Sequence, residues 1–220
     1  MTGILITELK NRLREELPGS QAHILMAPEQ VTDLPRISKD TTGKAGVLIL
    51  LFPRKGELSI ALIKRTEYPG PHSGQISLPG GKSEKDDRSL IITALREARE
   101  ETGIETENIE IVGTLTPLYI PVSDLEVLPV VGYSEFQPDF EINTREVEYI
   151  ILMPLKFLLS KENKKIMKTL NVRGESVTVP GFLFRDEYIW GATAMILSEF
   201  REILLPLYND ADQDINRDCP

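Results

Sequence analysis

The sequence predicts an α+β protein in which a mixed β-sheet lies between helices, and three observations carry that expectation. The 220 residues are 41% hydrophobic and 27% charged, the composition of a globular chain with one sizeable core. Short apolar runs of strand length recur between proline and glycine punctuation. Two longer runs, 89–101 and 191–205, carry apolar residues at helical spacing. Strands and helices do not alternate as regular βαβ units, which favours α+β over a doubly wound sheet.

The elements follow in order. In ILITELKNRLREEL, 4–17, residues Ile4, Leu5, Leu9, Leu13 and Leu17 fall at helical spacing, and Pro18 and Gly19 stop the helix. Residues 20–43 show little periodicity and read as an extended connection. KAGVLILLF, 44–52, is a buried strand, and LSIALIKR, 58–65, is its hairpin partner across PRKGE. The loop TEYPGPHSG leads to a short strand, QISLPGG, 75–81, and then to the helix SLIITALREAREE, 89–101, with Asp86 or Asp87 as its N-cap. Strand-like IEIVGTL, 109–115, and LEVLPVVGYS, 125–134, flank a proline-bearing loop. REVEYIILMPL ends in a proline, KFLLS starts a short helix, and 160–175 is polar and of open assignment. VTVPGFLF and EYIW are strands, and GATAMILSEFREILL, 191–205, is a helix packed on the sheet. The expected organisation is an N-terminal helix and connection over 1–43, a main domain over 44–205 and a polar tail over 206–220.

Several function classes are disfavoured at once. No run approaches ~18 uninterrupted apolar residues, and the charged first helix does not read as a secretory leader. The single cysteine, Cys219, provides neither a disulfide framework nor a thiolate metal cluster, so a cytoplasmic location is expected. With 25 Lys and Arg against 34 Asp and Glu the net charge is −9, which opposes a sequence-independent grip on nucleic acid phosphates. The expected partner is a small phosphorylated molecule, received through local cations or metal ions, with no nucleic acid and no membrane. The N-terminal helix is either a homodimer contact or a cover for one sheet edge.

The chemistry concentrates in LPGGKSEKDDRSLIITALREAREETGI, 78–104. Glu97, Glu100 and Glu101 stand at i, i+3 and i+4, so on a helix their carboxylates gather within about one turn. Each like-charge pair at that spacing costs roughly 0.2–0.5 kcal/mol unless a cation offsets it. Hard divalent ions take such oxygen ligands and bridge them to substrate phosphates. Ile91, Ala94, Leu95 and Ala98 on the adjoining side would seat the helix on a core. An ordinary salt-bridged surface helix explains REAREE alone equally well; the double glycine before it and Gly103 after it shift the balance toward a site. Lys64, Arg65 and His72 are candidates for a local cationic surface that receives phosphate. Trp190 is expected to pack in the core, and Tyr68 and Tyr119 are left out of the site.

These residues resemble the Nudix family of diphosphate hydrolases, whose signature reads G-x5-E-x7-R-E-U-x-E-E-x-G-U with U aliphatic. Arg96, Glu97, Ala98, Arg99, Glu100, Glu101, Thr102, Gly103 and Ile104 match its second half, with Ala98 as a small U. In the first half the loop is one residue longer, so that Gly81 is the signature glycine and Asp87 takes the acidic position. That insertion resembles the coenzyme A diphosphatase branch. So does IALIKRTEYPGPHSGQISLPGG, where Lys64, Arg65, Thr66, His72, Gly74, Gln75 and Pro79 to Gly81 agree with the branch pattern, while Gly70 stands in place of an arginine and Leu78 in place of a phenylalanine. NTREVEYIILMPL and YIWGATAMIL are similar to branch features downstream.

The resemblance implies an α/β/α sandwich with a mixed sheet and an enzyme that uses Mg²⁺ or Mn²⁺. It implies Glu97 and Glu101 as the main metal ligands, with Glu100 contributing and the carbonyl of Gly81 completing the shell, Arg96 as the residue that orients the glutamates, and Glu97 or Glu146 as general base. The implied reaction cuts coenzyme A or its derivatives to 3′,5′-ADP and (acyl)phosphopantetheine. The alternatives are a diphosphatase acting on ADP-ribose, NADH or nucleoside triphosphates, and a non-catalytic nucleotide sensor. The sensor ranks lower, because such a module would be expected to lose its glutamates and all three are present.

Overall fold

β1, Gly43–Arg54, is the axis of the structure, a computed structural model that describes residues 2–28, 31, 34, 42–70, 72–160, 163, 165–172 and 175–217. Its run of apolar residues is buried on both faces, as expected of a strand covered on two sides. One half of β1 pairs antiparallel with β2, Glu57–Arg65, and the other half with β4, Gly80–Lys82. Its opposite edge pairs in parallel with β7, Leu125–Tyr133. β3, Ile76–Ser77, and β8, Val147–Pro154, add to β2, while β5, Glu110–Thr114, and β6, Leu118–Ile120, add to β7. The sheet is therefore mixed, as the sequence predicts. A smaller antiparallel sheet holds β9, Ile166–Val172, β10, Glu175–Phe184, and β11, Glu187–Trp190.

Alternation along β1 assigns the two faces. Leu48, Leu50 and Phe52 meet Ala94 and Ala98 of α3, Leu90–Thr102, in one core cluster. Ala45, Ile49 and Leu51 join a larger cluster with Leu9 of α1, Thr2–Arg12, Leu158 of α4, Leu155–Leu159, and Leu197 and Phe200 of α5, Gly191–Arg217. Helices thus lie on both faces of the sheet. α3 comes very close to β1 because Gly46 has no side chain: a Cβ there would meet the carbonyl oxygen of Leu90 at 2.3 Å.

Several local expectations differ from the structure. α1 ends at Arg12, and hydrogen bonds from Arg14 to Asn11 and from Glu15 to Arg12 tighten the chain into a turn before Pro18. The expected extended stretch after residue 20 begins instead with α2, Ser20–His23, and a 3₁₀ turn, Ile24–Met26, both packed against α5. Burial of Ala22, His23 and Met26 holds a segment that is too short to persist as an isolated helix. β6 lies in the expected proline-bearing loop, and β9 in the polar stretch. α5 passes through Pro206 to Arg217 and does not end at 205; a proline removes one hydrogen bond, but its φ is compatible with a helix. Most of 29–41, and Cys219, lie outside the described residues. Among the described residues no helix is long and apolar enough to cross a membrane.

Candidate active site

The site forms where the pairing of β1 passes from β2 to β4 and α3 packs against both β1 and β4. Ser89, not Asp86 or Asp87, caps α3: its Oγ accepts from the amide of Ile92 at 3.3 Å. Gly103 closes the helix in the left-handed conformation at φ 71°. Asp87 has a different role. Its carboxylate accepts from Arg96 Nε at 3.1 Å and Nη2 at 3.0 Å, from Thr93 Oγ1 at 2.9 Å and from the Glu84 amide at 2.9 Å. The arginine in front of it holds the Asp87 carboxyl well below the usual carboxylate range, with the Glu84 amide and Thr93 adding to the effect.

Arg96 is thereby fixed, and its remaining hydrogens reach the carbonyl of Lys82 at 3.0 Å, Glu97 Oε1 at 2.9 Å and Glu100 Oε2 at 3.2 Å. It touches carboxylates on three sides and does not line the cleft described below. Glu101 is 1% exposed. Its Oε1 accepts from Arg65 Nη1 at 3.0 Å and its Oε2 from the Gly80 amide at 2.8 Å. Burial pushes its carboxyl up to about 7 against those two donors, and the negative charges of Glu97 and Glu146 push the same way. Burial also raises Glu97, with Glu100 and Glu146 adding to the shift and Arg96 opposing it.

A cleft of about 610 Å³ opens here, lined on its polar side by Arg65, His72, Gly81, Glu97, Glu101 and Glu146. The expected site residues are not all brought together. Glu97, Glu101 and Glu146 face one another across the cleft, whereas Glu100 is turned out beside Arg96 with its side chain 55% exposed. At about 100° per residue Glu100 lies roughly 60° from Glu97 and roughly 100° from Glu101 around the helix, on the side of Glu97 away from Glu101. Lys64 and Arg65 also part. As neighbours on a strand they point to opposite faces, so Arg65 meets Glu101 while Lys64 stands 4.0 Å from Glu187 of β11 and does not line the cleft. His72, at φ 67°, lies at the cleft wall with Nδ1 3.2 Å from Gln75 Oε1. Glu146 precedes β8 and is tied to Asn143, whose Nδ2 donates to Glu146 Oε1 at 3.3 Å.

Among the residues set aside earlier, Tyr68 does line the cleft, while Tyr119 donates to Asp124 at 2.8 Å outside it. Trp190 is half-buried at the end of β11. Sequence reasoning missed Gln75 and Ser77 as lining residues. Their place on the short strand next to the glycines was a usable signal.

The donor set suits a hard divalent cation. Glu97, Glu101 and Glu146 offer oxygen ligands of the type Mg²⁺ or Mn²⁺ take, and a cation would offset the mutual repulsion that adds to the effect of burial on Glu97 and Glu101. The backbone is shaped for it as well: a Cβ on Gly81 would lie 2.4 Å from Glu97 Oε2, so only glycine lets that carboxylate close against β4. Among the described residues no three His, Cys, Asp or Glu side chains stand as a finished coordination sphere. Glu97 and Glu101 are engaged by Arg96 and Arg65, and a cation would draw on those contacts.

A model of the NUDIX domain matches residues 43–170. The chain is 33% identical over 199 residues to the uncharacterized Nudix hydrolase NudL of Yersinia pestis, covering 90% of this chain and 94% of that protein, and equally to the NudL of Yersinia pseudotuberculosis. Among solved structures it resembles the Nudix hydrolase RenU of M. smegmatis, with 13% identity, a TM-score of 0.49 and coverage of 83% of this chain and 96% of that one. It also resembles the NUDIX domain of Shewanella oneidensis NrtR solved with ADP ribose, with 22% identity, a TM-score of 0.43 and coverage of 55% and 78%.

Proposed function

Because this chain belongs to the Nudix hydrolase family, we propose that it is a divalent-metal-dependent diphosphatase that cuts coenzyme A or its derivatives to 3′,5′-ADP and (acyl)phosphopantetheine. The observation that carries the reading is the junction of Arg65, Glu101 and the Gly80 amide. It joins the upstream segment KRTEYPGPHSGQISLPGG, which resembles the pattern of the coenzyme A branch apart from Gly70 and Leu78, to the glutamate-bearing helix in one cleft. Glu97, Glu101 and Glu146, with the backbone at Gly81, are the proposed ligands, and Glu100 is at most an outer contributor. When bound, the cation supplies charge neutralisation at the diphosphate and polarises phosphorus. The chain's own part is to aim the carboxylates and to move a proton. Asp87 fixes Arg96, and Arg96 fixes Glu97. Glu146, held by Asn143, or Glu97 takes the proton of the attacking water. Arg65 and His72 face the phosphate side.

Gly70 stands where the branch carries an arginine. A Cβ at that position would lie 2.7 Å from the Tyr68 ring, so the ring occupies the space a larger residue would need. This keeps ADP-ribose, NADH and nucleoside triphosphates as the second reading.

The test is a substrate panel with Mg²⁺ or Mn²⁺: coenzyme A, dephospho-coenzyme A, ADP-ribose, NADH and nucleoside triphosphates, with Glu101→Gln as control. The expected outcome is selective formation of 3′,5′-ADP from coenzyme A, with kcat lowered on the order of 10³-fold by the substitution, several kcal/mol of lost transition-state stabilisation. Preference for ADP-ribose selects the second reading. Tight nucleotide binding without turnover selects the sensor.

A further inference from the structure

β8 is an edge strand of the larger sheet. One of its edges pairs with β2, and among the described residues the other pairs with no strand, nor does any further backbone hydrogen bond reach 148–153. Such an edge offers a row of unpaired amides and carbonyls to any strand that approaches, and chains guard it with charge, proline or a bulge. Here the guards stand only at the ends. Pro154 closes one end; at the other, Lys64 pairs with Tyr149 and Arg65 with Val147, which leaves Glu148 as a bulge. Between them Tyr149, Ile150, Ile151, Leu152 and Met153 carry no charge. A groove of about 360 Å³ runs over this stretch and reaches both faces of the sheet: Ile150 and Leu152 pack with the α3 cluster, Ile151 and Phe184 with the α5 cluster.

We propose that this edge is covered by the same edge of a second copy of the chain, the two β8 strands pairing antiparallel about a two-fold axis so that the sheet continues across the dimer. Charge selects that occupant. Arg54 lines the groove, and neither it nor the exposed Glu148 has an ion-pair partner among the described residues. They mark opposite ends of the edge. Arg54 lies opposite Glu57 in the β1–β2 hairpin, two residues beyond Ser59, and Ser59 lies opposite Pro154. With Ile151 on the axis, Ile150 of one copy falls opposite Leu152 of the other, and Glu148 opposite Pro154, at the end where the other copy's Arg54 stands. A closed pair of identical surfaces has to be self-complementary, and this edge has its cation at one end and its anion at the other. An acidic or a basic peptide would meet the wrong charge at one of them. The N-terminal helix takes no part, because Ile6 and Leu9 of α1 are buried in the core of their own chain.

One added strand and its rim bury little more than ~1,000 Å², the lower limit of a specific interface, so a dimer Kd on the order of 10 µM is expected. Sedimentation equilibrium of the full chain from about 1 to about 300 µM brackets that constant and should show the 24.8 kDa chain giving way to twice that mass. Hydrogen exchange at the two extremes locates the contact: amides of 149–153 should exchange several-fold more slowly in the concentrated sample, with α1 unchanged. Arg54→Glu and Glu148→Arg should each raise Kd about tenfold, since each sets like charges together twice in a two-fold dimer, and the double variant should recover to within about threefold of wild type. Neither residue lines the cleft, and the wild-type exchange pattern decides the case without the variants. A chain that stays monomeric throughout, protection at a surface other than β8, single variants that associate as wild type does, or a double variant as weak as the single ones overturns the proposal.

Discussion

Arg96 and Asp87 show how one side chain sets another. Arg96 has four carboxylate neighbours, Glu84 at 4.0 Å being the farthest, and only the Asp87 contact is a fork-on-fork pair of the kind that fixes a guanidinium plane. Asp87 is more acidic in the folded chain than in the unfolded one. Its contribution to stability is therefore complete above the ordinary carboxylate value near 3.8 and is lost as pH falls below it toward the lower folded value. Asp87→Asn should lower Tm at neutral pH and flatten the Tm curve between about pH 4.5 and 2.5 relative to wild type. Thermal melts across that range check it, and superimposable curves would show that Asp87 does not carry the acid limb. The box spacing made Glu97 and Glu101 readable as a pair, because i and i+4 lie on one line. It could not show that Glu100 is diverted by Arg96, or that Ser89 and not an aspartate caps the helix, since these depend on which partner comes within reach.

At the scale of elements, α3, which carries the carboxylates of the cleft, is placed by backbone contact with β1. Gly46 would set a Cβ 2.3 Å from the Leu90 carbonyl and 2.9 Å from the Ala94 amide, and backbone cannot move aside as a side chain can. Gly46→Val should cost roughly 1–3 kcal/mol or more by overpacking. It should also lower kcat, because α3 carries Glu97 and Glu101. Urea denaturation with parallel kinetics tests this; a stable variant with lowered activity would still fit, whereas wild-type values in both would refute the close-contact account. Lys64 and Arg65 belong to the same scale. The chain makes them neighbours in sequence, and the strand turns them to opposite faces, where a register shift in the β2–β8 pairing falls between them. β6 and β9 are short or polar and owe their strand form to β7 and β10, so their own periodicity was silent.

The whole molecule is tied together by a polar knot on α5, apart from the residues that line the cleft. Glu199 of α5 is 0% exposed and His23 of α2 is 2% exposed. Their side chains meet at 2.9 Å, and Glu199 also accepts from the Gly19 amide at 3.1 Å and Thr116 Oγ1 at 2.6 Å. Three separate parts of the chain converge on one carboxylate. Removing it leaves buried donors without partners, so Glu199→Ala should destabilise by roughly 3–5 kcal/mol. It should also free residues 18–26 to proteolysis at protease levels that leave the wild type intact. Equilibrium unfolding and limited proteolysis check the two consequences. Because the β6–β7 hairpin begins just after Thr116, a weakened but folded Glu199→Gln chain should show raised KM for the substrate before kcat falls.

The sequence by itself determined the layered α+β fold, the glutamate-bearing helix with its glycine stop, and the family, because these rest on local periodicity and on a motif whose spacing is short. Tertiary structure alone decided which carboxylates share the cleft, which of two adjacent cations faces it, and that His23 and Glu199 are partners across 176 residues. The physical reason is one of range. Helical period and turn chemistry act over a few residues and are written in the chain's order, whereas desolvation, ion pairing and the walls of a cleft depend on surfaces that meet only after the chain has folded.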